Sequence, residues 1–238
     1  MKLRPFFRYY GGKWRAAPRY PEPKFDMIVE PFAGAAGYST RHPDRKVILV
    51  DSYEPIAAIW SWLTRVSESD FRALPAIGEG QTVDDFGLSQ EARWFLGFWM
   101  NNGTASPCKS PSKWALQYPD RAGWTEKTRE KLAVQLQYIR HWTVIHGDYA
   151  RSAPDVEATW FVDPPYDNAA GRHYIHGSSS LCFRELGIWC ESRRGQVIVC
   201  ESDGADWLPF TPLFENRGTP HPGRVARRVE SVWLREAA

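Results

Sequence analysis

Short apolar runs closed by an acid or a turn mark both ends of the chain. Residues 25–29 form the first and lead into Glu30-Pro31-Phe32-Ala33-Gly34-Ala35-Ala36-Gly37; residues 46–50, Lys-Val-Ile-Leu-Val, form the second and end at Asp51. Runs of this length between turn residues predict buried strands. From residue 55 to about 66 the period changes, with Ile56, Ile59, Trp60 and Leu63 on one helical face. Strand, small-residue turn, short helix, strand and helix are the opening of an open parallel α/β sheet.

The pattern then breaks. Residues 67–141 contain no clear strand. A helix is predicted over 90–101, then a polar loop over 101–113, then a helix that starts at Thr125 as N-cap and stacks Leu132, Leu136 and Ile139. Strand patterning resumes at 142–145, ending in Gly147-Asp148-Tyr149, and at 159–162, ending in Asp163-Pro164-Pro165-Tyr166. A helix over 180–193 and strands over 196–200 and 229–234 complete the chain. The expected organisation is an α/β core of residues 1–66 and 142–238 with a mostly helical insert, 67–141. Neither a repeat nor a low-complexity tract interrupts it.

Glu30, Asp51, Asp148 and Asp163 thus close four separate strands. In an open parallel sheet the carboxyl ends lie along one edge, where ligands bind. Acids are also common in turns, so it is their convergence that carries the argument.

Composition adds limits. With 238 residues, 43% hydrophobic and 24% charged, the chain suits one large domain or one domain carrying an insert. Twelve Trp imply an aromatic core or a grip on something planar. Net charge is only +2, but Lys2, Arg4, Arg8, Lys13, Arg15 and Arg19 crowd the first twenty residues without an acid, and Arg217, Arg224, Arg227 and Arg228 cluster near the other end. Such segments suit a local polyanion site, and equally a solvated basic face. Cys108, Cys182, Cys190 and Cys200 lack C-x-x-C spacing, which fits a reducing cytoplasm better than a disulfide framework or zinc site. His173 and His176 lack further ligands, so no metal is expected. Neither a membrane-length apolar run nor an export signal is read, so no membrane partner is expected.

Asp163-Pro164-Pro165-Tyr166 is the strongest chemical signal. Two prolines fix φ and remove two backbone donors, leaving a stiff corner that shows carbonyl oxygens, a carboxylate and an aromatic ring. The corner suits an aromatic amine. Its nitrogen lone pair is delocalised into the ring, and two acceptors on the N–H groups let the nitrogen pyramidalise. Methyl transfer from a sulfonium then requires alignment and electrostatics, not a metal. The base must leave the duplex to reach such a corner. An ordinary proline turn is the plain alternative.

Three weaker signals accompany it. The small-residue turn 30–37 lets a cofactor approach the backbone, though it is not G-x-G-x-x-G. Asp51, seventeen positions after Gly34, stands where a carboxylate binds ribose hydroxyls or caps a helix. Phe6-Phe-Arg-Tyr-Tyr-Gly-Gly-Lys-Trp-Arg15 joins aromatics, two glycines and a cation; its aromatic density argues against a disordered arm.

In this order the motifs resemble the Dam-type DNA adenine-N6 methyltransferases. Tyr9-Tyr10-Gly11-Gly12-Lys13 matches their Y/W-x-G-G-K segment, Glu30 to Ala36 their E-P-F-x-G-x-G segment, and Asp163 to Tyr166 their catalytic motif. The resemblance implies a Rossmann-like S-adenosylmethionine-dependent methyltransferase sheet with a helical target-recognition insert. It implies S-adenosylmethionine as cofactor and double-stranded DNA as partner, in a cytoplasmic enzyme of bacterial or phage origin. Asp163, Pro164 and Tyr166 would be catalytic, and Asp163 would also contact the cofactor. Tyr9 and Lys13 would flank the methionine part of the cofactor, Glu30, Phe32 and Gly34 would line its pocket, and Asp51 would hold the ribose. Asp148 and Tyr149 would lie near the cofactor adenine. Ala36 departs from the pattern, standing where the second glycine is usual. In the insert the resemblance covers only residues 98–103, so the target sequence does not carry over. Candidate DNA contacts are Asn101, Asn102, Lys109 and Lys113, with Tyr174 after the catalytic motif. Alternatives are action on RNA or on the cytosine amine, and a non-catalytic DNA binder derived from such an enzyme.

Overall fold

Alternation of side chains across a pleated strand explains how five short strands build two apolar faces at once. In the computed structural model, which describes residues 2–101, 103–118, 123–217 and 227–236, the strands are β1 Met27–Glu30, β2 Lys46–Asp51, β3 Thr143–His146, β4 Glu157–Val162, β5 Arg194–Ser202, β6 Thr211–Arg217 and β7 Arg227–Arg235. They form one sheet in the order β3-β2-β1-β4-β5-β7-β6. β1 to β5 are parallel; β7 runs antiparallel to β5, and β6 antiparallel to β7. Ile28, Leu49, Phe161 and Ile198 enter one apolar cluster, while Val29, Trp160, Val162 and Val197 enter the other. A parallel sheet needs cover on both faces. Helix α1, Glu54–Leu63, packs Ile56, Ile59, Trp60 and Leu63 onto the first face.

The segment 67–141 carries helices α2 Glu68–Arg72, α3 Gln90–Gly97, α4 Lys113–Gln117 and α5 Glu126–Ala133, and no strand among the described residues. Each helix starts at a Ser or Thr (Ser67, Ser89, Ser112, Thr125) whose hydroxyl accepts a first-turn backbone N–H. α3 stops at Gly97, short of the expected 101, because the chain turns back: Cys108 N–H donates to the Gly97 carbonyl at 3.1 Å, and a Cβ at Gly97 would lie 2.7 Å from Pro107. Leu136 and Ile139 follow α5 in a separate 3₁₀ turn. Phe71, Phe95, Trp124 and Leu132 share the cluster of Ile28 and Leu49, so this segment has no hydrophobic core of its own.

Leu3, Phe6 and Phe7 are fully buried in that cluster too, the two Phe rings 5.7 and 5.5 Å from Trp60. The basic N-terminal segment is therefore anchored. β6 is the strand that the apolar pattern missed. Its Thr-Pro-Leu-Phe-Glu-Asn-Arg does not alternate, and the register slips between Pro212 and Phe214. Proline is tolerated there because β6 is an edge strand. Among the described residues no helix is long and apolar enough to cross a membrane.

Candidate active site

Strand order reverses at β1, with β2 and β3 on one side and β4 and β5 on the other. Ligands bind in the crevice outside the carboxyl ends at such a switch point. A pocket of about 280 Å³ lies there. It brings together Tyr9, Lys13, Glu30, Phe32, Gly34, Asp51, Asp148, Tyr149 and Asp163, the whole set of expected cofactor contacts.

The turn after β1 is held from three sides. The Asp51 carboxylate accepts the Gly34 and Tyr53 N–H groups, both at 2.9 Å, and the Trp60 indole donates to the Gly34 carbonyl at 2.8 Å. Gly34 has φ +46°, and a Cβ there would meet the Tyr9 ring at 3.1 Å. A Cβ at Gly37 would lie 2.5 Å from Trp14 N and 2.9 Å from the Lys13 carbonyl carbon. Gly37 thus lets the N-terminal segment lie against the turn, which places Lys13. Ala36 takes the left-handed conformation, φ +47°, that the absent glycine would adopt freely. It is fully buried in the core and does not line the pocket, so its methyl does not narrow the cavity. Burial pushes the Asp51 carboxyl up to about 6, against the pull of its two backbone hydrogen bonds. Burial likewise pushes Glu30, which accepts the Ser39 N–H at 2.7 Å, up to about 8.

Aromatic rings wall the pocket. Phe32 and Tyr149 lie 5.1 Å apart at 30°. Asp148 caps helix α6, Tyr149–Ser152, by accepting the Ala150 N–H at 2.9 Å. Tyr174 closes the other side, its ring 5.8 Å from Tyr9 and 5.3 Å from Tyr10, its hydroxyl donating to the Tyr10 carbonyl at 3.2 Å. Tyr174, expected at the DNA, therefore also lines the inner pocket, as does His176.

The corner after β4 is the most charged part. Lys13 Nζ lies 2.8 Å from Asp163 Oδ1, 3.7 Å from Glu230 Oε1, and 4.6 Å from the centre of the Tyr166 ring. Burial pushes the Asp163 carboxyl up to about 6; Lys13 opposes this, while Glu230 and Glu201 add to it. The loop beyond is tied down. Glu201 accepts the Asp167 N–H at 2.9 Å, and Asn168 accepts the Ala170 N–H at 2.8 Å. Among the described residues no three His, Cys, Asp or Glu side chains form a metal-binding group.

Outside this corner opens a groove of about 1730 Å³, and Tyr9, Tyr10, Lys13 and Tyr174 line both cavities. Arg4, Arg8, Arg15 and Arg19 of the N-terminal segment and Lys127 and Lys131 of α5 line the groove, against the acids Asp203 and Glu230. Trp99 and Trp114 also line it; Trp114 is 41% exposed, whereas Trp99 and Trp124 are buried in the core. Asn101, Lys109 and Lys113, expected DNA contacts of the polar loop, lie elsewhere. Lys109 is paired with Asp84 at 2.8 Å, and none of the three lines the groove. Asn102 and Arg224 lie outside the described residues, and only backbone is described at Arg217, Arg227 and Arg228. Trp114, read from sequence with Trp94, Trp99 and Trp124 as core of the insert, is instead exposed, and sequence reasoning does not single out Glu230, Lys127 or Lys131. An acid inside the apolar strand pattern of 229–234 was the one available signal for Glu230.

No protein-family model matches the chain, and no curated protein matches it.

Proposed function

We propose that the protein transfers a methyl group from S-adenosylmethionine to the N6 amine of an adenine flipped out of duplex DNA. One observation carries this reading: Asp163-Pro164-Pro165-Tyr166 stands where the inner pocket meets the basic groove, at the switch point of the sheet.

The inner pocket suits the cofactor in its chemistry. It offers the Asp51 carboxylate for ribose hydroxyls, the Phe32 and Tyr149 rings as a flat apolar wall for adenine, and the Glu30 and Asp163 carboxyls for the cationic end. When bound, S-adenosylmethionine supplies an electrophilic methyl on a sulfonium centre. The protein's share is to orient and activate the amine. Lys13 holds Asp163 through Oδ1, which leaves Oδ2 to accept one amine N–H. The Pro164 carbonyl accepts the other, and the nitrogen lone pair is then aimed out of the ring plane. The Lys13 ammonium at 2.8 Å favours the ionised form of Asp163 against the burial that lifts its carboxyl to about 6. The ionised carboxylate stabilises the positive charge that develops on nitrogen. The Tyr166 ring backs the base. Arg4, Arg8, Arg15, Arg19, Lys127 and Lys131 of the groove neutralise phosphates.

The test is incubation with unmethylated DNA and S-adenosylmethionine, digestion to nucleosides and mass spectrometry. N6-methyladenine is expected from the wild type and not from Asp163→Ala, with cofactor binding retained in both by calorimetry. Turnover by Asp163→Ala would overturn the catalytic assignment. Methylation of RNA or cytosine alone would change the substrate, and no cofactor binding would favour the non-catalytic binder.

A further inference from the structure

Glu230 is a carboxylate that the reaction above does not use, yet it sits at the centre of the charged corner. It enters from β7, the strand antiparallel to β5, and is 6% exposed. Its Oε1 accepts the Tyr20 hydroxyl at 2.5 Å and also the Tyr166 hydroxyl. The same oxygen lies 3.7 Å from Lys13 Nζ, which is itself 2.8 Å from Asp163. A polar group this deep is kept because it is fully engaged.

We propose that Glu230 is a positioning residue for the methyl-transfer reaction. It tethers the Tyr166 ring through its hydroxyl, and it shares the Lys13 ammonium with Asp163, so that Asp163 is held without being fully neutralised. The proposal rests on the methyltransferase reading of the site. A ring pinned at its hydroxyl end keeps its plane fixed while its face stays beside the corner, as the backing of a flat base requires. A second acid on the same lysine weakens the hold of Lys13 on Asp163, keeping that carboxylate a competent acceptor for an amine.

The groups that face Asp163 come from several elements. Lys13 comes from the N-terminal segment, Glu30 from β1, Cys200 and Glu201 from β5, and Glu230 from β7, while Tyr20, Tyr166 and Tyr174 close the set. Lys13 favours the ionised form of Asp163, and Glu230 and Glu201 oppose it. Glu201 is committed to the Asp167 and Ser202 N–H groups, which leaves Glu230 as the acid that competes for Lys13.

The experiment compares wild type, Glu230→Gln and Tyr166→Phe. The Asp163 carboxyl carbon is titrated by NMR in the protein alone, assigned by its loss in Asp163→Asn. The methylation rate at saturating DNA and cofactor is then measured against pH. Glu230→Gln removes the competing charge, so the Asp163 midpoint and the acid limb of the rate are expected to move about one unit lower. The Gln side-chain oxygen still accepts the Tyr166 hydroxyl, so its kcat is expected to fall by less than the roughly ten- to a hundredfold expected of Tyr166→Phe. Cofactor affinity is expected to stay unchanged, because neither Glu230 nor Tyr166 lines the inner pocket. Tyr166→Phe keeps the charge and loses the tether, so it is expected to lower kcat without moving the midpoint. An unmoved midpoint in Glu230→Gln overturns the sharing of Lys13, and wild-type kcat in Tyr166→Phe overturns the tether. Should Glu230→Gln fail to fold, Tyr166→Phe still decides the tether, and Glu230→Asp, whose shorter side chain draws the carboxylate back from Lys13, decides the sharing: its Asp163 midpoint must fall. The midpoint is read without substrate, so a protein that methylates no DNA would refute the methyltransferase reading while leaving the sharing of Lys13 between Glu230 and Asp163 to stand or fall separately.

Discussion

Glu30 shows how one residue's surroundings set a property that its side chain alone does not have. It is 2% exposed and accepts the Ser39 N–H, and burial lifts its carboxyl from the ordinary 4.5 to about 8. Between those two values the folded protein binds a proton that the unfolded chain has released. Stability from this group is complete below about 4.5 and is lost as pH rises through about 8. Glu30→Gln keeps the acceptor without the titration. The stability difference between variant and wild type, from urea melts, is therefore expected to grow in the variant's favour from pH 5 to 8. A difference that stays flat across that window would mean Glu30 is not desolvated. Position 30 was readable as a strand-end acid; its depth was not, because depth comes from the residues packed around it.

At the scale of elements, the turn after β1 joins three parts of the chain. Gly34 meets the Tyr9 ring, Gly37 meets the Lys13–Trp14 backbone, and Ala36 sits left-handed between them. Gly37→Ala would drive a methyl into backbone at 2.5 Å, which only displacement of the N-terminal segment relieves. We expect a loss of about 1–3 kcal/mol, of the kind seen on overpacking, together with weaker methylation as Lys13 moves off Asp163. Ala36→Gly is expected to lie within about 1 kcal/mol of wild type, as relief of the left-handed cost is offset by glycine's greater freedom when unfolded and the loss of a buried methyl. Thermal and urea melts of the two variants check both. A neutral Gly37→Ala would show that the contact between turn and segment is not tight. The glycines are legible in the sequence as a small-residue turn after a strand. Their second task, admitting a distant segment of the same chain, is not, because it depends on a neighbour more than twenty positions away.

For the whole molecule, charge is organised by the fold. Seven cations that sequence places around residues 4–19 and 127–131 line one groove leading to Asp163, whereas Lys109 of the polar loop pairs with Asp84 outside it. Methylation of duplex DNA is expected to fall steeply with added salt, and Lys127→Gln/Lys131→Gln is expected to flatten the logarithmic salt dependence of DNA affinity by up to about two units. Lys109→Gln is expected to leave that slope unchanged. Affinity measured across a salt series decides it: a change with Lys109→Gln and none with the double variant would put the phosphates on the polar loop.

Local pattern alone determined the parallel strands and their bounding acids, the helical character of residues 67–141, and the Asp163-Pro164-Pro165-Tyr166 corner. These are short-range properties: period-two and helical spacing, small residues at turns, and prolines that fix φ. Tertiary structure decided the rest. It made the N-terminal segment part of the core, added β6 as an irregular edge strand, brought Glu230 from β7 onto Lys13 and Tyr166, and gathered the groove from the N-terminal segment and α5. Each of these joins residues far apart in the chain, and burial and charge act through space, so neither spacing nor composition contains them.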